Sequence, residues 1–277
     1  MDLKKKQALV VGMAKSGVAA ARLLVRQGAQ VTINDSKSAD ELTEALKGLR
    51  GVKVAQALGQ KADGLLAGKD LVVVSPGVPT SLSFFEKARQ AGIPVIGETQ
   101  LGYEFTRCPI VAITGTNGKT TTTALMGHIF ERAGYTTHVT GNIGQPLSSV
   151  ALDTQPDDRV VLEASSFQME TITTFRPRVS AILNITEDHL NRHKTMENYI
   201  DAKARIFENQ RDDDVLVLNA DNALTAALAE RASCKVLYFS RTQEVPAGCC
   251  ILEGRITYLP GDGTRVPMGR PEEVRIP

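Results

Sequence analysis

Cysteine is scarce in this sequence, and its four cysteines form no recognisable framework. Cys108 and Cys234 stand apart, Cys249 and Cys250 are adjacent, and no pair has the C-x-x-C spacing of a metal or redox motif. The pattern argues against a small secreted scaffold held by disulfides and is typical of a protein from a reducing cytosol. We therefore expect thiols that are buried or incidental.

The sequence also lacks an excess of charge and a long apolar run. Its formal net charge of +1 gives no general attraction to nucleic acid or to an anionic membrane, so individual loops and cations must bind any anionic ligand. No uninterrupted apolar run reaches about 18 residues, the length that suggests a membrane-spanning helix. We expect a soluble, cytoplasmic protein without a nucleic-acid or membrane partner, and we expect it to be a monomer.

The length of 277 residues favours two domains, each with its own core. In the first hundred residues short β-branched runs alternate with helical segments, and a second series of the same kind begins at Ile110. Such alternation predicts α/β domains with parallel sheets. We place a Rossmann-like domain at residues 1–98 and a P-loop ATPase-like domain at residues 99–277. The Gly- and Pro-rich tail from Arg241 predicts a small antiparallel appendage to the second domain.

The pattern also gives approximate bounds for the individual elements. The predicted strands are residues 8–11, 30–34, 71–74, 93–96, 110–114, 137–140, 160–163, 179–184 and 215–219. The predicted helices are residues 16–27, 41–49, 82–91, 121–133, 196–209 and 223–231.

The stretch ITGTNGKTTTTALMGHIF, residues 113–130, places a Gly-Lys-Thr turn between a strand and a helix. Free backbone N–H groups and the helix dipole make such a turn a phosphate site. In that geometry Lys119 reaches the β- and γ-phosphates and the Thr120 hydroxyl ligates Mg²⁺. The match to the usual P-loop pattern is incomplete, because Ile113 stands where that pattern has its first glycine and the turn between Gly115 and Gly118 is shorter.

TGTNGKTTT resembles the nucleotide loop of the Mur ligases and of the related folylpolyglutamate synthases, ATP-dependent enzymes that form amide bonds. Further motifs similar to those of the family follow its order along essentially the whole chain. They are VVGMAKSG (residues 10–17), SPGVP (75–79), GNIGQP (141–146), LEASSFQME (162–170), NITEDHLNRH (184–193) and YIDAKARIF (199–207).

The resemblance implies a reaction in which the γ-phosphate of ATP activates a substrate carboxylate as an acyl phosphate, which an amine then attacks. SPGVP, EASSFQ and DHLNRH are most similar to the members that add D-glutamate to UDP-N-acetylmuramoyl-L-alanine during peptidoglycan synthesis. The implied cofactors are ATP and two Mg²⁺ ions. The family has a third domain, which supplies most of the amino-acid site, and we expect this chain to end before it.

The resemblance also assigns roles to residues. The implied catalytic residues are Lys119, Asn142, His189 and Lys203, and the implied ATP-binding residues are Gly115, Thr116, Asn117, Gly118, Lys119, Thr120 and Thr121. The implied metal ligands are Thr120, Glu163, His189 and Lys203, the last as a carbamate. The implied UDP-sugar residues are Met13, Ala14, Lys15, Ser16, Asp35, Ser36, Ser75, Pro76, Gly77, Asn142, Ser165 and Gln168.

Four other interpretations stay open at the level of sequence, and the first is another Mur ligase or a folylpolyglutamate synthase-like ligase. VVGMAKSG followed by Asp35 is similar to a dinucleotide fingerprint and would suit a dehydrogenase, although Ala14 replaces the glycine that lets a pyrophosphate approach. His189 and His193 have the i,i+4 spacing of zinc ligands on a helix, but no third ligand accompanies them. The chain is also compatible with a nucleotide-binding module that is inactive as this fragment.

Overall fold

The computed structural model describes residues 1–274. Residues 275–277, which the sequence analysis assigns to the second domain, lie outside the described residues. By its internal contacts the chain divides into two compact units. Unit 1 comprises Met1–Cys108, Thr140–Pro156 and Phe167–Phe175, and unit 2 comprises Pro109–Val139, Asp157–Ser166 and Arg176–Pro277.

The strands of the described residues are β1 (Gln7–Val11), β2 (Gln30–Asp35), β3 (Ala55–Leu58), β4 (Leu71–Val74), β5 (Val95–Gly97), β6 (Ile110–Thr114), β7 (Thr137–Gly141), β8 (Arg159–Glu163), β9 (Val179–Ile182), β10 (Val215–Asn219), β11 (Lys235–Ser240), β12 (Gly248–Leu252), β13 (Arg255–Leu259) and β14 (Val266–Gly269). The α-helices are α1 (Lys15–Arg26), α2 (Thr43–Lys47), α3 (Ser83–Gln90), α4 (Glu98–Phe105), α5 (Lys119–Arg132), α6 (Leu147–Val150), α7 (Ser166–Met169), α8 (Leu190–His193), α9 (Met196–Ala204) and α10 (Ala223–Ala226). None of these helices combines the length and the apolar character that a membrane crossing requires.

Unit 1 is built on a parallel sheet with the strand order β3-β2-β1-β4-β5. Both faces of this sheet are covered, because alternate residues of one strand enter different apolar clusters. Ala8 and Val10 of β1 pack in one cluster with α1, whereas Leu9 and Val11 pack in the other with α3. The order reverses between β1 and β4, and ligands of open α/β sheets bind in the crevice at such a reversal.

Unit 2 contains a sheet with the order β14-β13-β12-β11-β10-β9-β6-β8-β7. Strand β6 is entirely buried and pairs in parallel with β8 on one side and β9 on the other. The chain therefore leaves the carboxyl end of β6 at the point where the strand order reverses, and the loop 115–118 leads from there into α5. The tail forms the antiparallel pairs β12–β13 and β13–β14, as predicted.

The mixed α/β fold is confirmed, and the differences from the sequence prediction are local. Strands β3 and β11 and helix α4 were not predicted. Helix α2 has five residues instead of nine, and the last turns after α9 and α10 are 3₁₀. The domain boundary at residue 98 stays a proposal, and the units place residues 140–156 and 167–175 with the first sheet.

Candidate functional site

Unit 1 contains a half-open cavity of about 830 Å³ at the carboxyl ends of β1, β2 and β4. Residues 13–16, 35–36 and 75–77, with Asn142 and Gln168, line this cavity together. Most of the residues that the resemblance assigns to the UDP-sugar are thus brought to one place. Ser165 is the exception, because it belongs to unit 2 and is not part of the lining.

Two glycines allow the loop after β1 to fold against β4. Gly12 has a φ of 87°, and a Cβ added to Gly17 would lie 1.9 Å from the Gly12 carbonyl oxygen. The same carbonyl accepts a hydrogen bond of 2.7 Å from the Ser75 hydroxyl. Side chains at these glycines would therefore displace the loop from the SPGVP turn.

Asp35 at the end of β2 is used by the loops that surround the cavity. Its Oδ2 accepts a hydrogen bond of 2.7 Å from the Met13 amide, and its Oδ1 accepts one of 3.0 Å from the Lys37 amide. In a dinucleotide site the corresponding carboxylate binds a ribose hydroxyl. Here the same carboxylate also orders the backbone of the loops after β1 and β2.

The ionisable groups of the cavity favour an anionic ligand. Lys15, Lys37 and Lys61 line it, together with Asp63 and with Asp35, whose oxygens accept loop amides. Hydrogen bonds from Lys87 and Ser83 hold the pKa of Asp63 below its ordinary value, so this carboxylate is already paired. Lysines and backbone amides then remain for a phosphate group.

The loop GNIGQP lies at the cavity, and the buried Glu98 of α4 binds the first turn of α6, which directly follows this loop. Glu98 Oε1 accepts a hydrogen bond of 2.7 Å from the Ser148 amide at the start of α6, and the Ser148 hydroxyl donates to the Glu98 carbonyl. Burial raises the pKa of Glu98 above its ordinary value of 4.5. Asn142 and Gly144 of this loop line the cavity.

The loop 115–118 in unit 2 has the backbone of an anion site. Gly115 has a φ of 154° and Gly118 a φ of 82°, and α5 begins directly afterwards at Lys119. A Cβ on Gly115 would lie 3.1 Å from Leu183 Cβ, so the loop packs closely on the segment after β9. The first amides of a helix have no partners within the helix and carry its positive dipole.

Two lysines converge on this loop. Lys119 Nζ donates to the carbonyl oxygens of Gly115 and Thr116 at 3.0 and 2.8 Å, and Lys203 Nζ donates to the Gly115 carbonyl at 2.7 Å. Lys203 is only 2% exposed. Its burial, together with the charge of Lys119, lowers its pKa from 10.5 to about 7.

Tyr199, which the sequence analysis missed, connects α9 to the same loop. Its hydroxyl lies 3.1 Å from the Thr116 hydroxyl, and the Lys203 ammonium lies 4.7 Å from the centre of its ring. The sequence signal was the i,i+4 spacing of Tyr199 and Lys203 on a helix.

Glu163, His189 and His193 differ in their burial and in their contacts. Glu163 is buried at the end of β8 and pairs in register with Ile113 beside the loop, so its place suits a ligand of a phosphate-bound metal. His189 is half-exposed and has a φ of 53°, with its Nε2 3.5 Å from Asp188 Oδ2. His193 is buried, and its Nε2 lies 2.9 Å from the Ser166 hydroxyl. Within residues 1–274 no group of three or more His, Cys, Asp or Glu side chains is arranged to hold a metal ion.

Two family models match the chain. Residues 113–255 match the Mur ligase middle domain, and residues 6–97 match the Mur ligase MurD-like N-terminal domain. The first match contains the loop 115–118, and the second contains the cavity residues 13–16, 35–36 and 75–77.

Two similar curated relatives carry the same name. The chain is 48% identical over 254 residues to the UDP-N-acetylmuramoylalanine--D-glutamate ligase of Caldanaerobacter subterraneus subsp. tengcongensis, covering 92% of the chain and 56% of the relative. It is 47% identical over 279 residues to the ligase of the same name from Alkaliphilus oremlandii, covering 100% of the chain and 61% of the relative. The chain thus spans little more than half the length of these relatives.

Solved structures show the same fold at low sequence identity. The UDP-N-acetylmuramate:L-alanyl-gamma-D-glutamyl-meso-diaminopimelate ligase from Neisseria meningitides superposes with a TM-score of 0.60 at 18% identity, covering 96% of this chain and 89% of that one. A murein peptide ligase from Psychrobacter arcticus gives a TM-score of 0.55 at 18% identity, covering 95% and 62%.

Proposed function

The chain belongs to the Mur ligase family, and on that premise we propose that it is the nucleotide-binding part of a ligase that adds D-glutamate to UDP-N-acetylmuramoyl-L-alanine. The ligase acts with ATP, in the cytoplasm, during peptidoglycan precursor synthesis. The ligation is proposed for the whole protein, because the chain spans 56% and 61% of the two relatives. The observation that carries the proposal is the convergence of Lys119 and Lys203 on the loop 115–118.

The proposed reaction has to bring a carboxylate and a triphosphate together. Both are anions, so rate acceleration depends mainly on positioning and on cations. Lys119 neutralises phosphate oxygens, and the amides of the loop 115–118 and of the first turn of α5, including Thr120 and Thr121, donate to them. The substrate carboxylate takes the γ-phosphoryl group, ADP leaves, and the amino group of D-glutamate then displaces phosphate from the acyl phosphate.

The residues near the loop fit a magnesium ion by their chemistry. Thr120 offers a hydroxyl beside Lys119, and Glu163 offers a buried carboxylate at the adjacent strand end. Oxygen donors of this kind suit Mg²⁺. Thr120, Glu163, His189 and a carbamate on Lys203 would hold the two ions of the proposal, which neutralise the transferring phosphoryl group when bound.

Carbamylation of Lys203 is part of the proposal. CO₂ reacts with a neutral amine, and a pKa of about 7 leaves a large neutral fraction of Lys203 near neutral pH. The product is an anionic oxygen donor in place of a cation, so it would also relieve the repulsion from Lys119.

The cavity of unit 1 is the proposed site of the UDP-sugar. Its lysines and amides suit a diphosphate, and Asn142 and Gln168 supply amide groups for the sugar and its peptide. We infer a uridine nucleotide rather than NAD because Ala14 stands where the dinucleotide fingerprint has the glycine that lets a pyrophosphate approach.

Calorimetry on the 277-residue chain tests the two binding sites separately. We expect ATP with Mg²⁺ and UDP-N-acetylmuramoyl-L-alanine to bind with one site each and without mutual competition. Saturable binding of NADH without binding of the UDP-sugar would overturn the assignment of the cavity. Release of ADP, dependent on D-glutamate and on the UDP-sugar, tests the ligation in the whole protein and separates an enzyme from a binding module.

A further inference from the structure

The segment after β9 clamps the phosphate loop through one asparagine. Asn184 Oδ1 accepts a hydrogen bond of 2.8 Å from the Asn117 amide, and Asn184 Nδ2 donates one of 3.0 Å to the Asn117 carbonyl. The Asn184 carbonyl also accepts the Thr116 amide at 2.9 Å. One residue therefore binds three polar groups of the loop backbone, the amides of Thr116 and Asn117 and the carbonyl of Asn117.

These contacts fix the direction of each peptide group in the loop. In a trans peptide the C=O of one residue and the N–H of the next point in opposite directions, and the described residues contain no cis peptide. The Thr116 and Asn117 amides face Asn184, so the carbonyls of Gly115 and Thr116 face the other way. That is the side where Lys119 and Lys203 bind those two carbonyls.

The next peptide is reversed. Its carbonyl, that of Asn117, faces Asn184 Nδ2, so its N–H, that of Gly118, faces the side of the two lysines. Gly118 has a left-handed φ of 82°, which a glycine adopts without strain. The Asn184 amide is therefore the contact that turns an N–H donor, rather than a carbonyl, toward the ammonium groups.

Asn184 is itself held in place by two further asparagines. Asn219 Nδ2 donates to the Leu183 carbonyl at 2.9 Å, and Asn222 Nδ2 donates to the Ile185 carbonyl at 3.2 Å. The backbone on both sides of Asn184 is thus fixed to the end of β10. A side chain supported in this way has little freedom to turn its amide away from the loop.

We propose that Asn184 is a positioning residue that sets the orientation of the Asn117–Gly118 peptide, so that the Gly118 N–H is available to the polyphosphate of ATP. The inference rests on the proposed binding of ATP at this loop. Without the Asn184 side chain no partner within residues 1–274 holds the carbonyl of this peptide back, and a flipped peptide would present a carbonyl oxygen to the phosphate.

Two substitutions separate the contributions of the clamp. Asn184→Ala removes both side-chain hydrogen bonds, and we expect ATP to bind about tenfold more weakly. Asn184→Asp keeps an acceptor for the Asn117 amide but sets an anionic oxygen against the Asn117 carbonyl, and we expect a larger loss. Both variants should bind UDP as tightly as the wild-type chain, because the UDP cavity belongs to unit 1.

Gln210→Ala is the matched control for a general loss of stability. The buried Gln210 side chain lies in the same unit. Its amide donates hydrogen bonds to the carbonyls of Pro177 and Val215, at the amino ends of β9 and β10. We expect this variant to melt at a lower temperature while its ATP affinity stays within about twofold of the wild-type value.

A spectroscopic readout follows the peptide directly. In the ¹⁵N-glycine-labelled chain, tripolyphosphate should shift the Gly118 amide resonance of the wild type and of Gln210→Ala but not that of Asn184→Asp. Wild-type ATP affinity in both Asn184 variants, or an equal loss of affinity in Gln210→Ala, would overturn the inference alone. A wild-type chain that binds UDP but not ATP would overturn the proposed function and this inference with it.

Discussion

Lys119 and Lys203 donate hydrogen bonds to the same carbonyl oxygen, that of Gly115. Burial is the main cause of the lowered pKa of Lys203, and the repulsion between two ammonium groups on one acceptor lowers it further. A polyphosphate on this side of the loop would relieve the repulsion, because it offers each cation an anionic acceptor. The pair therefore explains why the site attracts phosphate.

Lys119→Ala should weaken ATP binding by about 10- to 100-fold and leave UDP-sugar binding intact. The ammonium is the cation at the start of α5, and a charge-assisted hydrogen bond of this type contributes about 10- to 100-fold in affinity. Calorimetric titration of the same preparation with both ligands makes the comparison internal. Lys235→Ala, at an exposed lysine of β11, is the control of equal charge change. Parallel loss of both ligands in folded Lys119→Ala would contradict the division into two sites.

Lys203 should form a carbamate in a pH-dependent manner. With a pKa of about 7, the neutral amine increases from about one tenth to about nine tenths of the population between pH 6 and pH 8. At constant dissolved ¹³CO₂ we expect a carbamate resonance that grows across this range in the wild-type chain and is missing in Lys203→Arg. A bare amine at pH 8 under saturating ¹³CO₂ would refute the carbamate.

Much of the fold could be predicted from the sequence because buried parallel strands are short runs of apolar residues. Residues 71–74, 110–114 and 215–219 were predicted with their observed bounds. Strand β3 was missed because it lies at the sheet edge and three of its four residues are exposed or partly exposed. Helix α2 was overextended, since nothing in the local sequence shows where tertiary packing ends a helix.

Site residues that lie in sequence motifs could be predicted, whereas residues that reach the site only through strand pairing could not. The motifs SPGVP and GNIGQP pointed to Ser75 and Asn142, and both residues line the cavity. Lys61 and Asp63 reach the same cavity only because β3 lies beside β2, and no local pattern marks them. Asn184 was visible as the first letter of NITEDH, but its role depends on the parallel pairing of β6 with β9.

Gly17→Ala should destabilise unit 1 and weaken UDP-sugar binding. The new Cβ would lie 1.9 Å from the Gly12 carbonyl oxygen, so the loop after β1 has to move away from Ser75. Overpacking of this kind costs about 1–3 kcal/mol in the free energy of unfolding. Gly64→Ala is the control, because its Cβ meets nothing within 4 Å. Urea unfolding and UDP titration of both variants measure the difference. Equal stability and equal UDP affinity of the two variants would show that the loop tolerates a Cβ at Gly17.

Glu98→Gln should change how stability depends on pH. The folded-state pKa of Glu98 is raised by burial above the ordinary value of 4.5, so its ionisation costs more in the folded chain than in the unfolded chain. The protonated form of Glu98 therefore contributes to the free energy of unfolding. This contribution is complete below pH 4.5 and is lost as the pH rises through the folded-state pKa. Glutamine keeps the acceptor for the Ser148 amide and cannot ionise.

The free energy of unfolding of Glu98→Gln relative to the wild type should therefore increase from pH 4 toward neutral pH. The glutamine amide nitrogen would take the place of Glu98 Oε2, which is buried without a hydrogen-bond partner. Burying it costs an amount that does not depend on pH, so it shifts the plot of this difference against pH without changing its slope. Glu131→Gln, at an exposed residue of α5, should give a difference that does not vary in this way. Urea unfolding at several pH values provides the comparison. A flat difference for Glu98→Gln would mean that Glu98 keeps its ordinary pKa and that the α4–α6 junction tolerates the charge.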